Sequence, residues 1–260
     1  MIVLKSSHQI ERMAVAGKAL AEILELIRER IRPGVTTLEL DRLAEDEIRK
    51  RGMKASFKNY NGFPATICAS INDEVVHGFP TKRRLQEGDI LSVDLGTIYE
   101  GCHADAARTF PVGQIDPKVA RLVDVTERCF WSAMAYAKVG NRLSDISHAV
   151  QTVAEDAGYS VVRELCGHGV GEKLHEEPDV LNYGRPGKGP RLVEGMTLAI
   201  EPMINMGARQ VYMADNEWTV VTADHLPSSH YENSIAITPE GPMILTLPDG
   251  PMVYQPKEDR

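Results

Sequence analysis

Two aspartates on the facing arms of a predicted hairpin are the residues with the clearest chemical potential in this sequence. Residues 90–96 alternate between apolar and polar side chains, which predicts a strand, and Gly101 with its polar neighbours predicts a reversal. Asp94 lies on the first arm, and Asp105 lies between two alanines on the second. Two carboxylates flanked by very small side chains are costly when both are ionised and unpaired. The pair therefore predicts a bound cation, for which a metal ion is the simplest choice.

Two further carboxylates and one histidine occur in similar settings in the second half of the chain. Glu201 ends an alternating strand, and Glu232 lies in a strand predicted over residues 228–237. His168 lies in the glycine-dense segment CGHGVG, residues 166–171, which predicts a turn whose glycines allow positive φ and close backbone approach. Four carboxylates with one imidazole would form an oxygen-rich site for two divalent ions, and such ligands suit Mn²⁺, Fe²⁺, Co²⁺ or Zn²⁺ better than thiolates would.

Each of these residues, taken alone, has an ordinary alternative explanation. A single carboxylate on a half-buried strand more often faces solvent, and a lone histidine is about as often a buried structural residue as a catalytic one. The set does not fit that alternative, because the residues beside the candidates are too small and too apolar for a solvated face. Those neighbours are Ser92, Ala104, Ala106, Ala199 and Ser234.

Two other motif interpretations of the second half are weaker. The glycine-dense segment has the spacing G-x-G-x-G and no clear helix after it, which disfavours a phosphate-binding loop. His175 begins the segment HEEP, in which Pro178 interrupts the HExxH pattern of zinc proteases.

Four helices and the strands between and after them must position these residues. The two helix pairs alternate with strands, which predicts an α+β fold with helices covering a curved antiparallel sheet. In chain order the predicted helices run from Ser6-Ser7 to about Arg32, from Thr36-Thr37 to Gly52, from Asp116-Pro117 to Val139 and from Ser144 to Gly158.

A sequence match between the two halves of the chain, here called the internal echo, predicts that the second half of the fold duplicates the first. LQEGDILSVD, residues 85–94, matches LVEGMTLAIE, residues 192–201, at leucine, glutamate, glycine and leucine, and both end in a carboxylate. Chance is a real alternative for a ten-residue match, but each segment also follows a helix pair. We therefore expect one catalytic domain over residues 1–260, with pseudo-two-fold halves of about 1–115 and 116–247 and a polar tail at 248–260.

Composition excludes several other classes of protein. The net charge of −8 and the lack of a basic stripe disfavour a nucleic-acid partner. Four cysteines without CxxC spacing predict reduced thiols in a cytoplasmic protein. The first residues lack the apolar run of a signal peptide, and no window of 18 apolar residues predicts a membrane span.

Several segments of this chain resemble those of the type I methionine aminopeptidases, and they occur in that family's order from the first helix to about residue 247. The absence of a long N-terminal extension resembles the short bacterial form. The resemblance implies the pita-bread fold, a monomer with possible ribosome association, and removal of the initiator methionine from nascent proteins and peptides when the second residue is small. The matching segments are VVHG, VDLG followed by HADAARTF, GHGVGEKLHEEP, AIEP and HYENSIAIT.

The resemblance also implies a role for each matched residue in a site that holds two ions of Co, Mn, Fe or Zn. A hydroxide shared by the ions would attack the scissile carbonyl, and the substrate's free α-amino group would take an open metal position. The resemblance implies that Asp94 binds one ion, that Asp105 and Glu232 bridge both ions, and that His168 and Glu201 complete the site of the other ion. It implies that His175 stabilises the oxyanion and that Glu201 also transfers a proton to the leaving amine. It implies that His77 contacts the scissile amide or the second residue.

A methionine pocket is likewise implied by the resemblance. Its aromatic and sulfur-containing walls would suit a thioether, although the same aromatic residues could simply form core. The sequence departs from the familiar bacterial pattern in two places, with Phe57 where a cysteine is common and Phe63 where a tyrosine is common. The implied pocket residues are Phe57, Tyr60, Phe63, Cys68, Leu174 and Trp218.

Two competing functions share this fold. Proline-specific relatives, aminopeptidase P and prolidase, usually carry an extra N-terminal domain that 260 residues would not accommodate. A catalytically inactive binding module would be expected to lack ligands, whereas all five are present here.

Overall fold

The computed structural model describes residues 1–256, in which two pairs of α-helices are each followed by strands, sixteen strands in all, and a short 3₁₀ helix lies at Tyr60–Gly62. The helices are α1 (Ser7–Arg30), α2 (Thr37–Lys50), α3 (Pro117–Met134) and α4 (Leu143–Asp156). The strands are β1 (Lys54–Ala55), β2 (Ile67–Ile71), β3 (Glu74–Val76), β4 (Ile90–Tyr99), β5 (Cys102–Pro111), β6 (Ser160–Val161), β7 (Gly167–Gly169), β8 (Glu176–Val180), β9 (Thr197–Ile200), β10 (Met203–Asn205), β11 (Val211–Met213), β12 (Val220–Thr222), β13 (Ser228–His230), β14 (Asn233–Thr238), β15 (Gly241–Ile244) and β16 (Met252–Val253).

The starts of the first three helices agree with the sequence prediction. Ser6 and Thr36 form capping boxes at α1 and α2, and the Asp116 carboxylate accepts a hydrogen bond from the backbone of Lys118 at α3. These side chains satisfy backbone N–H groups that have no partner within the first turn.

The second helix pair differs from the prediction at two points. α3 ends at Met134 rather than at Val139, because tighter turns follow and the Asn141 side chain donates to the carbonyl of Tyr136 at 2.9 Å. α4 begins at Leu143, one residue before the predicted cap. The Ser144 hydroxyl instead donates to the carbonyl of Lys188 at 2.9 Å, so it secures a loop and does not cap the helix.

The predicted hairpin is the centre of the first sheet. β4 pairs along its whole length with β5, and its other edge pairs with β2 and then with β1. In this register Asp105 lies opposite Gly96, and Asp94 lies opposite Ala107. The two aspartates are therefore diagonal neighbours on one face, a spacing at which side chains interact.

The second half contributes a six-stranded sheet in the order β16-β15-β14-β9-β7-β8, and two three-stranded sheets complete the structure. The latter have the orders β13-β10-β6 and β11-β12-β3, and all strand pairs in residues 1–256 are antiparallel. The predicted α+β class with antiparallel sheets and two helix pairs is thus confirmed.

Each half has its own hydrophobic core beneath its helix pair. Leu91 packs into the core that includes Leu20 of α1 and Leu40 of α2, whereas Leu198 packs into the core that includes Phe130 of α3. Leu91 and Leu198 are matched residues of the two echoed segments, and both are fully buried. The two matched leucines of the internal echo therefore pack into the core of their respective halves in the same way.

Two predicted elements were wrong, and both corrections concern the candidate site. The predicted strand over residues 228–237 is two strands in different sheets, because the extended ladder is interrupted at Tyr231 and Glu232. The glycine-dense segment is not a turn but contains β7, and neither Gly167 nor Gly169 has a positive φ.

Close packing explains the glycines of β7. A Cβ at Gly167 would clash with the carbonyl oxygen of Ala199, and one at Gly169 would clash with the carbonyl oxygen of Glu177. Of the two properties that the sequence suggested for these glycines, only the close backbone approach is used.

The C-terminal segment predicted as a polar tail, residues 248–260, falls partly outside the described residues. Within the described part, Met252–Val253 forms β16 and pairs with β15, and the ring of Tyr254 stacks on that of Trp131. Residues 257–260 lie beyond the part of the chain that the structure describes.

Candidate active site

The sheet that contains the aspartate hairpin and the six-stranded sheet of the second half meet at a cluster of acidic and histidine side chains. One ligand atom from each of Asp105, His168 and Glu232 lies within 4.8 Å of the others. The His168 Nε2 atom is 3.9 Å from Asp105 Oδ2 and 3.6 Å from Glu201 Oε1. Asp94 reaches the same cavity from β4. The structure therefore brings together all five residues that the sequence singled out as metal ligands.

Strand register and two cross-sheet hydrogen bonds hold these side chains in place. His168 lies opposite Ala199, which puts it beside the end of β9 where Glu201 follows. The backbone N–H of Asp105 donates to the Ser234 hydroxyl at 2.9 Å, and that hydroxyl donates to the Asp105 carbonyl, also at 2.9 Å. Ser234 therefore fixes the hairpin of the first half against the large sheet of the second.

Arg108 stabilises the interruption between β13 and β14, from which the Glu232 side chain enters the cavity. Its guanidinium donates to the Glu232 carbonyl at 2.5 Å and to the Asn233 side-chain oxygen at 2.7 Å, and it lies 4.3 Å from the centre of the Tyr231 ring. The Glu232 N–H donates to the Ala107 carbonyl at 2.9 Å. These contacts replace the ladder bonds that a continuous strand would have made.

The acidic cluster is buried and incompletely hydrogen-bonded. Asp105 and Glu232 are 3% and 2% exposed. One carboxylate oxygen on each of Asp94, Asp105 and Glu232 has no hydrogen-bond partner within residues 1–256. Buried carboxylates of this kind are costly unless a cation or a proton compensates them.

Burial and mutual repulsion raise the pKa values of these carboxylates. Burial raises the pKa of Glu201 to about 8 and that of Asp94 to about 7, and the charge of Glu201 adds to the shift at Asp94. The pKa values of Asp105 and Glu232 lie well above their usual range, chiefly through burial and then through neighbouring carboxylates. Four acids that oppose each other's ionisation form the kind of site that a divalent cation stabilises.

The residues present fit a metal centre. The donors are carboxylate oxygens with one imidazole, a set suited to hard and borderline divalent ions, and the unpartnered oxygens supply free lone pairs. Burial lowers the pKa of His168 to about 3, so its imidazole is neutral and available as a ligand near neutral pH.

The acidic cluster forms one end of a cavity of about 180 Å³ whose other end is apolar. The ring of Phe63 lies 5.3 Å from those of Phe79 and Trp218, measured between ring centres. Every residue predicted for the methionine pocket lines this cavity. Those residues are Phe57, Tyr60, Phe63, Cys68, Leu174 and Trp218.

Two predicted histidines, His77 and His175, line the same cavity. The Tyr60 hydroxyl lies 2.8 Å from Nδ1 of His175, and the ring centres of His168 and His175 are 4.2 Å apart. Burial lowers the pKa of His175, and burial with the nearby His230 lowers that of His77 to about 4. Both are therefore neutral imidazoles near pH 7.

His77 also has an unusual backbone conformation. Its φ of 59° lies in the left-handed region, which is uncommon for a residue with a side chain, and its carbonyl accepts a hydrogen bond from Thr219 at 3.2 Å. Backbone strain of this kind is concentrated at functional sites.

Three residues of the site were not predicted. The His230 Nε2 atom lies 3.4 Å from Glu201 Oε2 in a fully buried position, and Phe79 and Asn61 lie against the apolar end. His230 is the first residue of the matched motif HYENSIAIT, and Phe79 directly follows VVHG, which was the available signal. Asn61 has a φ of 49° in a loop without a motif, and nothing in the sequence indicated it.

Comparison with protein-family models agrees with a metal centre at this site. Residues 11–239 match the model of the metallopeptidase family M24. The chain belongs to metallopeptidase family M24. As members of this family use divalent metals, the acidic cluster is the candidate metal centre of an M24 enzyme.

Bacterial methionine aminopeptidases are similar to this M24 enzyme over nearly their whole length. The one from Clostridium perfringens is 53% identical, with 95% of this chain and 99% of the relative covered. Methionine aminopeptidase 1 from Bacillus subtilis is 49% identical over the same shares of the two chains. The enzyme is therefore a hydrolase of the methionine aminopeptidase group.

Solved structures agree with this placement and with the expected pita-bread architecture. The crystal structure of methionine aminopeptidase from Thermotoga maritima has a TM-score of 0.94 at 44% identity, covering 95% of this chain and 100% of that one. Prolidase from Pyrococcus furiosus has a TM-score of 0.77 at 22% identity, and this chain covers 65% of it. That second likeness shows the shared fold alone.

Among residues 1–256, no helix combines the length and the apolar character that crossing a bilayer requires.

Proposed function

We propose that this enzyme removes the N-terminal methionine from nascent proteins and peptides when the second residue is small. The observation that carries the proposal is a single cavity with an acidic, histidine-containing cluster at one end and aromatic and thiol walls at the other. An unbranched thioether side chain suits the apolar end, which places the first peptide bond at the acidic end.

Five side chains would hold two divalent ions in this centre. We assign Asp94 to one ion, Asp105 and Glu232 to both, and His168 and Glu201 to the other. Supporting observations are the convergence of these residues and their unpartnered buried oxygens. Bound there, the ions supply Lewis acidity and lower the pKa of a water towards neutrality, and Co, Mn, Fe and Zn all suit the ligand set.

His175 is assigned to the oxygen of the scissile carbonyl. Its pKa is lowered by burial, so the ring is neutral and carries one N–H. When the Tyr60 hydroxyl donates to Nδ1, the proton is on Nε2 and can be donated to the developing oxyanion. Burial raises the pKa of Tyr60, which keeps that hydroxyl protonated.

Glu201 and His77 are assigned to the leaving side of the reaction. The raised pKa of Glu201, about 8, lets the side chain take up a proton and return it to the departing amine near neutral pH. His77 is a neutral imidazole on a strained backbone and would orient the scissile amide or the second residue.

The cellular context follows the same proposal. All four cysteines are free, three of them buried, which fits a reducing cytoplasm. We also propose that residues 1–260 act as one catalytic domain, that the enzyme acts as a monomer on N-terminal methionine at or near the ribosome, and that it needs no nucleic-acid or membrane partner.

Turnover of Met-Ala-Ser beside Ala-Pro-Ser tests this proposal. The enzyme is stripped of metal with a chelator and then restored with Co²⁺, Mn²⁺, Fe²⁺ or Zn²⁺ in separate samples. We expect no turnover after chelation, recovery with at least one ion, and cleavage of Met-Ala-Ser alone. Cleavage of Ala-Pro-Ser in preference would refute the methionine assignment, and full activity in chelator would refute the metal assignment.

A further inference from the structure

A buried ion pair lies beside residues 171–176, the loop that carries His175. Lys5, which precedes the first helix, pairs through Nζ with the Glu176 carboxylate, and the two side chains are 2% and 9% exposed. The partners are 171 residues apart in the chain. Removing two charges from water is expensive, so a pair this well buried needs its remaining hydrogen bonds to be satisfied.

Both partners make further hydrogen bonds, and these organise the loop of residues 171–176. The Glu176 Oε1 atom accepts a hydrogen bond from the backbone N–H of Lys173 at 3.1 Å, and Lys5 Nζ also donates to the Val3 carbonyl at 2.9 Å. Gly171 starts the loop where a Cβ would clash with the Lys5 side chain. The absence of a side chain at Gly171 is therefore what admits the lysine.

Two other side-chain hydrogen bonds reach the loop, from Gln9 Nε2 to Glu172 Oε1 at 2.9 Å and between the Tyr60 hydroxyl and His175 Nδ1 at 2.8 Å. His175 lines the cavity but remains partly exposed, and Leu174 is the one residue of the loop that packs into an apolar cluster. The Gly171 carbonyl accepts from the His103 N–H at 2.7 Å at the start of the loop. At the other end, Glu176 directly follows His175 in the chain, so its pairing with Lys5 holds the backbone next to the imidazole.

We propose that Lys5 is a positioning residue for His175. Through its ion pair with Glu176, Lys5 fixes the loop geometry that presents the imidazole to the reacting carbonyl. The inference rests on the role proposed above for His175, and it adds a residue from outside every segment that was assigned to the site. Loss of the anchor would let His175 shift while leaving the metal ligands and the apolar pocket in place.

A double-mutant cycle between Lys5→Met and His175→Ala tests this inference with Met-Ala-Ser as substrate. We expect Lys5→Met to lower kcat by about 10²-fold with a KM close to that of the parent, since a small misplacement of a catalytic group has effects of that order. In the His175→Ala background, the same change should lower kcat no further, because Lys5 acts through His175.

The outcomes separate this inference from the proposed function. An equal fold-loss from Lys5→Met in both backgrounds would mean a general structural role and would overturn the inference, as would an unchanged kcat in the parent background. Full turnover by His175→Ala would overturn the role proposed for His175 itself. Arg49→Met, which removes an exposed ion pair on α2, is the matched control and should keep parental kcat.

A second variant covers the possibility that Lys5→Met folds poorly. Replacing both partners, Lys5→Met with Glu176→Met, removes the pair without leaving one charge unpaired, so it preserves folding better than a single change. We expect this variant to fold and still to be slow, because a methionine cannot accept from the Lys173 N–H. Parental kcat in the double variant would overturn the inference.

Discussion

The molecule buries carboxylates in two different ways, and the contrast separates groups that hold the fold from groups that hold a ligand. Asp41 of α2 accepts hydrogen bonds from the backbone N–H groups of Thr66 and Ile67, at 2.8 and 3.1 Å. It thereby ties a helix to the start of β2. Asp105 and Glu232 are more deeply buried, yet each retains an oxygen without a partner in the described chain.

The causes of the pKa shifts at Asp41 and at Asp105 show the same contrast. Burial raises the pKa of Asp41, but its two backbone hydrogen bonds act in the opposite direction. At Asp105, burial and the charges of Asp94 and Glu201 all act together to raise the pKa. A buried carboxylate whose oxygens accept hydrogen bonds from the chain stabilises the fold. A buried carboxylate with an unpartnered oxygen is available to bind a cation.

The largest effect is expected at the metal cluster. Asp105→Asn should lower kcat/KM by at least about 10³-fold, because it removes a ligand assigned to both ions. The same change should stabilise the metal-free protein by about 1 kcal/mol or more, because it relieves repulsion among buried carboxylates. Peptide turnover and urea unfolding in chelator measure the two effects. A variant that is both active and less stable would break the comparison.

The opposite pattern is expected at Asp41. Asp41→Ala leaves two buried N–H groups without an acceptor and should lower the free energy of unfolding by about 1–3 kcal/mol. Its kcat/KM should fall far less than that of Asp105→Asn. Asp46→Ala, which removes an exposed carboxylate of the same helix, is the control and should change stability by less than about 0.5 kcal/mol. An Asp41→Ala protein as stable as the parent would contradict the structural role.

The last expected effect is a pH dependence of the stability of the metal-free protein. The folded-state pKa values of Asp94 and Glu201, about 7 and 8, lie above their ordinary values, so the folded state holds more protons and loses stability as pH rises towards 8. The lowered pKa values of His77 and His168, about 4 and 3, act with the opposite sign, and mainly below about pH 6.5, the ordinary histidine value.

Unfolding between pH 6.5 and 8 therefore isolates the carboxylates. We expect a decline of at most about 1.4 kcal/mol per pH unit for each group in chelator. The decline should disappear with metal bound, since the ions keep the ligands deprotonated. Metal-free stability that rises over this range would show that the cluster is compensated within the chain, as Asp41 is.

Much of the fold and of the candidate site could be predicted because the signals are local. Capping residues fixed the starts of α1, α2 and α3, and strict alternation fixed the aspartate hairpin. The predictions failed where a distant contact overrides the local pattern. Residues 228–237 alternate like one strand, but Arg108 and a change of sheet partner divide them.

The sequence by itself determined which ligand types are present, their order, and the small neighbours that allow them to be buried. Only the tertiary structure decided that His230 lies against Glu201, that Lys5 reaches Glu176, and that three buried carboxylate oxygens of the acidic cluster have no partner in residues 1–256. The reason is one of range. Caps and periodicity act over a few residues, whereas these contacts join segments that only the packing of the two halves brings together.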